Sequence, residues 1–331
     1  MAKPNESKPR VCIVGPGAIG GMMAVHLQRA GYDVSALARP AKAAEIKAKG
    51  ITLLDGGQTY RGQPKVSADP AELGAHDIVV VTVKSDGLAT VVPHLPALSK
   101  PDAPWVFVMN GVPWWFFSHF GGAKRGTALN SVDPSGNLAR MIPLERVVWG
   151  VINCGVSIRP DGVLSHDHSN QLQLGRPDLS RGGLASLAEV FTAAGYNTET
   201  TDRIHHAIWT KLLANMTFNP LSALTSATSD LILTDPMVRE FTIAVADEGR
   251  AVGEALGIPG GPPARERFAA AGRLGKSKTS MLADMERGRP LEIEPIIGAA
   301  VEIADLLGVP VPNTKALYGL VRVRAKAAGL A

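Results

Sequence analysis

Short apolar runs punctuate the first 110 residues at regular intervals. Val11–Val14, Asp33–Ala38, Ile78–Val83 and Trp105–Met109 are apolar-rich stretches bounded by turn residues. Runs of that length predict strands buried on both faces. Between the first two, Ala18–Ala30 carries apolar positions at helical spacing, and Gly31 follows as a C-terminal stop. Strands alternating with helices predict right-handed parallel βαβ units. Val147–Ile158 and Gln171–Leu174 predict an antiparallel extension, with Pro160-Asp161-Gly162 as a turn.

The pattern changes near residue 200. Beyond it, helical periodicity dominates: Ile204–Thr217, Met237–Leu256, Ala264–Gly272, Ser280–Arg287, Ile293–Leu307 and Thr314–Ala328 all predict helices. Gly257-Ile258-Pro259 and Gly308-Val309-Pro310 are breaks of one kind, glycine closing a helix and proline preventing its return. The expected fold class is α/β: a Rossmann-type parallel sheet domain over residues 1–200, followed by an all-α domain over 201–331.

Composition narrows the function. In 331 residues, 45% are apolar and 19% charged, with a formal net charge of +4. That is ordinary globular composition. No basic run carries interleaved aromatics, so nucleic acid is not an expected partner. The start, MAKPNESKPR, is polar and unlike a secretory signal. No run approaches the ~20 apolar residues of a membrane span. Two cysteines, Cys12 and Cys154, make no disulfide framework. The expected location is the cytoplasm, without membrane contact. A homodimer is compatible with the fold but is not readable from the pattern.

Gly15-Pro16-Gly17-Ala18-Ile19-Gly20 matches G-x-G-x-x-G between a strand and a helix. Gly15 allows the tight turn, Gly17 admits the pyrophosphate to the backbone, and Gly20 lets the helix pack on the strand. The helix start offers N–H groups and partial positive charge to the phosphates. NAD sites usually place an acid at the end of the second strand. Here Arg39 stands there, nineteen residues past Gly20. An arginine suits a 2′-phosphate, so NADP(H) is the expected cofactor. Lys84 ends the third strand, and Asn110-Gly111 ends the next. Ligands of open parallel sheets lie beyond such carboxyl ends. Lys84 is therefore a cofactor-site candidate, and Asn110 a candidate for both cofactor and substrate.

Lys211, Asn215 and Asn219 are spaced four apart within an otherwise apolar segment that ends in Pro220. On a helix this spacing drifts ~40° per step, with ~6 Å of rise, and forms one polar stripe. Such a stripe is costly unless it meets a ligand or is fully bonded. Pro220 is expected to kink or end the helix. A lysine held this way can give a proton to a carbonyl oxygen as hydride reaches the carbon. Farther on, Ser280-Met281-Leu282-Ala283-Asp284 precedes a turn at Gly288, and Glu292 stands at the start of a new helix. Ser280 can donate to a substrate carboxylate. Glu292 can balance Lys211 and accept from a product hydroxyl. The cofactor groups precede residue 200 and the proposed acid follows it, so neither half suffices alone.

In these motifs the chain resembles the ketopantoate reductase (2-dehydropantoate 2-reductase) family. The motifs are Gly15-Gly17-Gly20, Lys84, Asn110-Gly111, Lys211-Asn215-Asn219-Pro220 and Ser280-Met281-Asp284-Glu292-Ile293-Glu294. The resemblance spans nearly the whole chain in order. It implies NADPH-dependent reduction of a 2-oxo acid, most directly 2-dehydropantoate to pantoate for pantothenate and coenzyme A synthesis. It implies Lys211 as general acid and Glu292 as a hydroxyl ligand. It sets Asn215, Asn219 and Ser280 around the substrate, and Arg39 and Lys84 near the cofactor phosphate and active site. The second domain would resemble the C-terminal domain of 6-phosphogluconate dehydrogenase.

Three departures bear on the substrate. Glu294 stands where many members have Asp, and Ile297-Gly298 replaces a common Asn-Gly. Trp114-Trp115-Phe116-Phe117 gathers four of the chain's aromatics behind Asn110-Gly111. That block could wall a pocket, form an interface or pack on the core, and the expectation favours the pocket. His166-Asp167-His168 lacks a third ligand nearby and is not read as a metal site. Two alternatives stay open: a reductase of another 2-oxo acid, and a non-catalytic NADP(H) sensor.

Overall fold

The computed structural model describes residues 8–178, 182–270 and 278–330. The chain forms two compact units, Met1–Met109 with Arg140–Ile204, and Asn110–Ala139 with His205–Ala331. The mixed α/β architecture is as expected, a parallel-rich sheet unit and a helical unit. The Asn110–Ala139 segment belongs with the C-terminal helices.

In the first unit the strands are β1 (Val11–Val14), β2 (Val34–Leu37), β3 (Ile51–Asp55), β4 (Gln58–Gly62), β5 (Lys65–Ser67), β6 (Ile78–Val81), β7 (Trp105–Phe107), β8 (Val147–Ile158), β9 (Leu164–Gly175) and β10 (Asn197–Thr200). They make one sheet in the order β4-β3-β9-β8-β7-β6-β1-β2-β5, with β10 beside β9. Its centre is parallel, and β8/β9 and β3/β4 are antiparallel. The β3–β4 hairpin and β10 carried no clear apolar pattern: β4 is mostly exposed polar residues. The helices are α1 (Ala18–Arg29), α2 (Pro40–Lys49), α3 (Ser85–Val91), α4 (Leu95–Leu98), the short α5 (Asn137–Met141), which straddles the division at Ala139/Arg140, and α6 (Ala185–Ala193).

Every residue of α1 from Gly20 to Leu27 is buried. The helix touches β1 and β2 on one part of the sheet path and β3, β4, β8 and β9 on the other, so the sheet curls around it. A helix buried on all faces must be apolar all round, and α1 is apolar here except at His26. Its ring is bonded at both nitrogens, to Tyr196 Oη (3.1 Å) and Asp55 Oδ2 (3.2 Å). Burial pushes the His26 pKa down, which keeps the ring neutral. His166 sits differently. Its Nδ1 faces Asp55 Oδ1 at 2.8 Å and its Nε2 faces the Ser169 carbonyl at 2.6 Å. Both of these partners accept hydrogen bonds. Burial raises the Asp55 pKa, but the bonds from His166 and His26 outweigh it and hold the carboxyl below its usual range.

The second unit is built on α7 (Ile204–Thr225), α8 (Ser229–Thr234), α9 (Pro236–Ala255), α10 (Ala264–Ala270), α11 (Ser280–Glu286), α12 (Ala299–Leu307) and α13 (Pro312–Ala327). The end of the helix expected over Ala264–Gly272 lies outside the described residues. Of the two expectations for Pro220, a kink or an end, helix α7 overturns the second, since it runs through the proline to Thr225. The missing hydrogen bond costs about 3 kcal/mol. Pro220, Leu221, Ser222 and Ala223 are all buried, and that packing offsets the loss. Helix termini are satisfied by carboxylates. Glu248 accepts four bonds of 2.6–2.9 Å from the N–H groups and side chains of Asn313 and Thr314 at the start of α13. Glu302 accepts from the N–H groups of Asn130 and Ser131 and from Ser131 Oγ, which pins the inserted segment to α12.

The aromatic block corrects a second expectation. Trp114, Trp115, Phe116 and Phe117 are 6%, 1%, 0% and 1% exposed, core residues rather than a rim. They clasp the start of α7. Trp115 and Phe116 meet His205 edge-on at 5.4 and 5.3 Å, Phe116 leans on Trp209, and Phe120 stacks on His205 at 4.3 Å. His205 is buried among these rings, and its Nε2 has no partner among the described residues.

Burial pushes the His205 pKa from 6.5 down to about 4. The folded value lies below the unfolded one. The contribution is therefore fully present above pH 6.5 and is lost as pH falls toward 4, where the unfolded chain takes the proton first. Unfolding free energy should drop by about 3 kcal/mol from this group between pH 7 and pH 4. Denaturant titrations of His205→Phe should show that part of the decline removed. An undiminished decline in the variant would assign the acid sensitivity elsewhere.

Candidate active site

Strands β6, β1 and β2 lie side by side, and their carboxyl ends carry Lys84, the Gly15–Gly20 loop and Arg39. The loop is tight. Gly15 adopts φ +87° and donates its N–H to the Leu37 carbonyl at 3.0 Å. Thr82 Oγ1 donates to the Gly15 carbonyl at 2.7 Å and bridges to Val14 O at 3.2 Å. A side chain on Gly20 would place Cβ 2.2 Å from Thr82 Oγ1 and 2.6 Å from Gly15 O. Thr82 was missed in the sequence, where it reads as one more residue of an apolar strand.

Gly17 is different. A Cβ there would meet nothing nearer than Gly15 O, at 4.0 Å. The protein fills the space at Gly20 but leaves it open at Gly17, and no side chain caps the start of α1 there. A cavity of about 90 Å³ opens beside Pro16 and Gly17, lined by Lys42 and Lys49 and also by Glu45 and Asp161, with Lys42 paired to Glu45 at 2.9 Å. An open glycine and an uncapped helix start fit a dinucleotide pyrophosphate. Arg39 is exposed and has no acidic partner among the described residues. Lys84 is half-buried at the start of α3.

The remaining candidates all belong to the second unit: Asn110, Lys211, Asn215, Asn219, Ser280 and Glu292. Helix α7 carries three of them as the spacing predicts. Lys211 and Asn215 are half-buried and Asn219 is 4% exposed, so the stripe sinks into the unit along the helix. Leu212, Leu213 and Met216 beside it are core residues. The Asn219 Nδ2 is buried and has no partner among the described residues. A buried donor left open costs ~1–3 kcal/mol. Ser280 is the exposed first residue of α11, whose cap is Thr279, accepting from Leu282 N–H. Glu292 is half-buried immediately before a helix that starts at Ile293.

That helix opens with a π-turn over Glu294–Gly298, which the sequence pattern did not predict. Glu294 is committed elsewhere: it accepts from Tyr318 Oη at 2.6 Å. Burial, with Glu294 beside it, pushes the Tyr318 pKa up to about 12. A cavity of about 580 Å³ is lined by Glu294, Glu302, Asp305 and Tyr318 but by none of the six candidates. Its carboxylates are engaged by Tyr318, by Ser131 with Asn130, and by Lys315. No helix among the described residues is long and apolar enough to cross a membrane.

A dinucleotide loop in one unit and an amine–amide stripe in the other define an oxidoreductase of the Rossmann class. The comparisons narrow this. The family pattern Ketopantoate reductase PanE/ApbA matches residues 11–113, and Ketopantoate reductase PanE/ApbA C terminal matches 203–325. The chain is 37% identical to a 2-dehydropantoate 2-reductase of Mesorhizobium japonicum, over 95% of this chain and 97% of that one. A crystal structure assigned as a ketopantoate reductase from Ralstonia solanacearum superposes with a TM-score of 0.91 at 38% identity, covering 98% of this chain and 100% of that one. D-mandelate dehydrogenase, solved with NADH and anilino(oxo)acetate, shares the fold at TM-score 0.81 and 19% identity, over 97% and 100% of the two chains. The chain belongs to the ketopantoate reductase family, whose members use a nicotinamide cofactor.

The two glycines separate fold from ligand. Gly20→Ala should destabilise the protein by about 1–3 kcal/mol through overpacking. Gly17→Ala should keep its melting temperature and lose roughly tenfold or more in dinucleotide affinity, about 1.4 kcal/mol. Calorimetry and fluorescence titration read the two effects, and a Gly17→Ala protein with unaltered affinity would remove the loop from the cofactor site.

Proposed function

We propose that this chain reduces 2-dehydropantoate to pantoate with NADPH. The observation that carries the reading is the α7 stripe, an amine and two amides that end in a buried, open amide donor at Asn219. A 2-oxo acid offers the acceptors such donors need, at its carboxylate and its keto oxygen. Its sister observation is Arg39, a cation without an acidic partner among the described residues at the end of β2. That position suits a 2′-phosphate and favours NADPH over NADH.

The cofactor, when bound, supplies hydride to the keto carbon. Lys211 donates a proton from Nζ to the keto oxygen, so charge does not build up as an alkoxide. Glu292 accepts a hydrogen bond from the new hydroxyl. Asn110, Asn215, Asn219 and Ser280 hold the keto and carboxylate oxygens and fix which face of the carbon is presented. The Gly15–Gly20 loop, including the Ala18 and Ile19 N–H groups, holds the pyrophosphate, and Lys84 adds positive charge at the same sheet edge.

The second reading is the same chemistry on another 2-oxo acid. It is favoured by Glu294 and Ile297-Gly298, which depart from the family pattern beside Glu292, and by a shared fold that in D-mandelate dehydrogenase holds anilino(oxo)acetate with NADH. Ranking 2-oxo acids by kcat/KM decides between the two.

Two variants test both halves of the proposal in one set of measurements. Lys211→Ala should lower kcat by roughly 10²–10⁴ while NADPH affinity stays within twofold. Arg39→Ala should weaken NADPH much more than NADH, because only NADPH carries the 2′-phosphate. Near-normal turnover without Lys211 would remove it as the general acid, whereas a wild-type protein that binds NADPH but reduces no 2-oxo acid would leave the sensor alternative. Equal losses for both cofactors would remove the NADPH preference.

A further inference from the structure

Asn110 and Glu292 are distant in sequence, yet the segments that follow them meet backbone to backbone, Val112 against Pro295. In the turn after Glu292, the Ala299 N–H reaches back five residues to the Glu294 carbonyl, passing over the carbonyl of Pro295. The Pro295 carbonyl accepts instead from the Val112 N–H, at 2.8 Å. Val112 is two residues past Asn110, and Pro295 is three past Glu292. Between them lies Gly111, with φ +85°. A Cβ on Gly111 would fall 2.5 Å from Pro295 O and 2.7 Å from its carbonyl carbon and Cβ. Two independent constraints, steric and torsional, therefore require glycine here. The π-turn is what exposes the carbonyl, since a regular helix would direct the Ala299 N–H to it.

We infer that Gly111 and the Pro295 carbonyl are positioning elements of the active site. Their contact locks the strand-end loop that bears Asn110 to the helix start that bears Glu292. The inference rests on the proposed roles of those two residues as substrate ligands. Hydride transfer tolerates little misplacement: the reacting atoms must approach to about 3–3.5 Å with orbitals aligned. Two ligands from separate parts of the chain need a rigid link to meet that demand, and this contact is a link made of backbone alone. Proline contributes by lacking an N–H, so residue 295 can sit in the first helical turn without leaving a buried donor open.

The test is Gly111→Ala, read by hydrogen exchange at Val112, by KM and kcat for the 2-oxo acid, and by NADPH affinity. The variant should lose protection at Val112, raise KM or lower kcat tenfold or more, and bind NADPH within twofold of wild type. If Gly111→Ala does not fold, Pro295→Ala serves, because removing the ring frees φ at residue 295 and loosens the turn that presents its carbonyl to Val112. It should show the same signature at smaller amplitude. A merely structural role would lower the melting temperature and leave the kinetic constants of the folded enzyme unchanged. A folded variant with wild-type kinetics, or with Val112 still protected, overturns the inference. A wild-type protein that reduces no 2-oxo acid overturns the functional reading instead, and the inference with it.

Discussion

The first unit depends on how closely α1 approaches the sheet that encloses it. From Gly20 to Leu27 the helix has no wet face. Interiors pack as tightly as organic crystals, so its start tolerates no side chain at Gly20, where Thr82 Oγ1 and the Gly15 carbonyl already occupy the space. The same closeness fixes where β1 ends and where the uncapped N–H groups point. The proposed pyrophosphate cradle is thus a by-product of helix–sheet packing. Enclosure also explains the polar cluster at the other end of α1. Burying a polar ring is costly unless it is bonded, and His26 is accommodated only because Tyr196 and Asp55 meet both its nitrogens.

The second unit is held differently. Its helices meet through carboxylates that collect several N–H groups each, as Glu248 does for α13 and Glu302 does for the Asn130–Ser131 turn. The Asn110–Ala139 segment leaves the sheet strand β7 and joins these helices through its aromatic block. In doing so it carries Asn110 into the unit that already holds Lys211, Asn215, Asn219, Ser280 and Glu292. All the proposed substrate ligands then stand on one framework, and the proposed dinucleotide loop stands on the other. That division suits a reaction in which one partner delivers hydride and the other fixes the acceptor.

Much of this was legible in sequence because it is local. Strands β1, β6, β7 and β8, helices α1, α9 and α13, and the breaks at Gly257 and Gly308 follow from apolar period and turn chemistry. So do the glycine loop and the four-residue spacing on α7. What was not legible depends on contacts across the chain. Helix α7 continues through Pro220 because tertiary packing outweighs one lost hydrogen bond. The aromatic block is core because His205 and Trp209, far along the sequence, provide its partners. Thr82 looks like any strand residue until Gly15 lies beside it. The π-turn at Glu294 depends on a donor from Val112, which no pattern near residue 294 announces.

The central claim is that a hydride passes from NADPH to the keto carbon of a 2-oxo acid on this protein. A single-turnover reaction with NADPH carrying two deuterons at C4 of the nicotinamide, and 2-dehydropantoate as acceptor, tests it directly. Mass spectrometry should find pantoate with one deuteron, placed by NMR at C2. Unlabelled product, or no product at enzyme concentrations above that of substrate, would contradict the account.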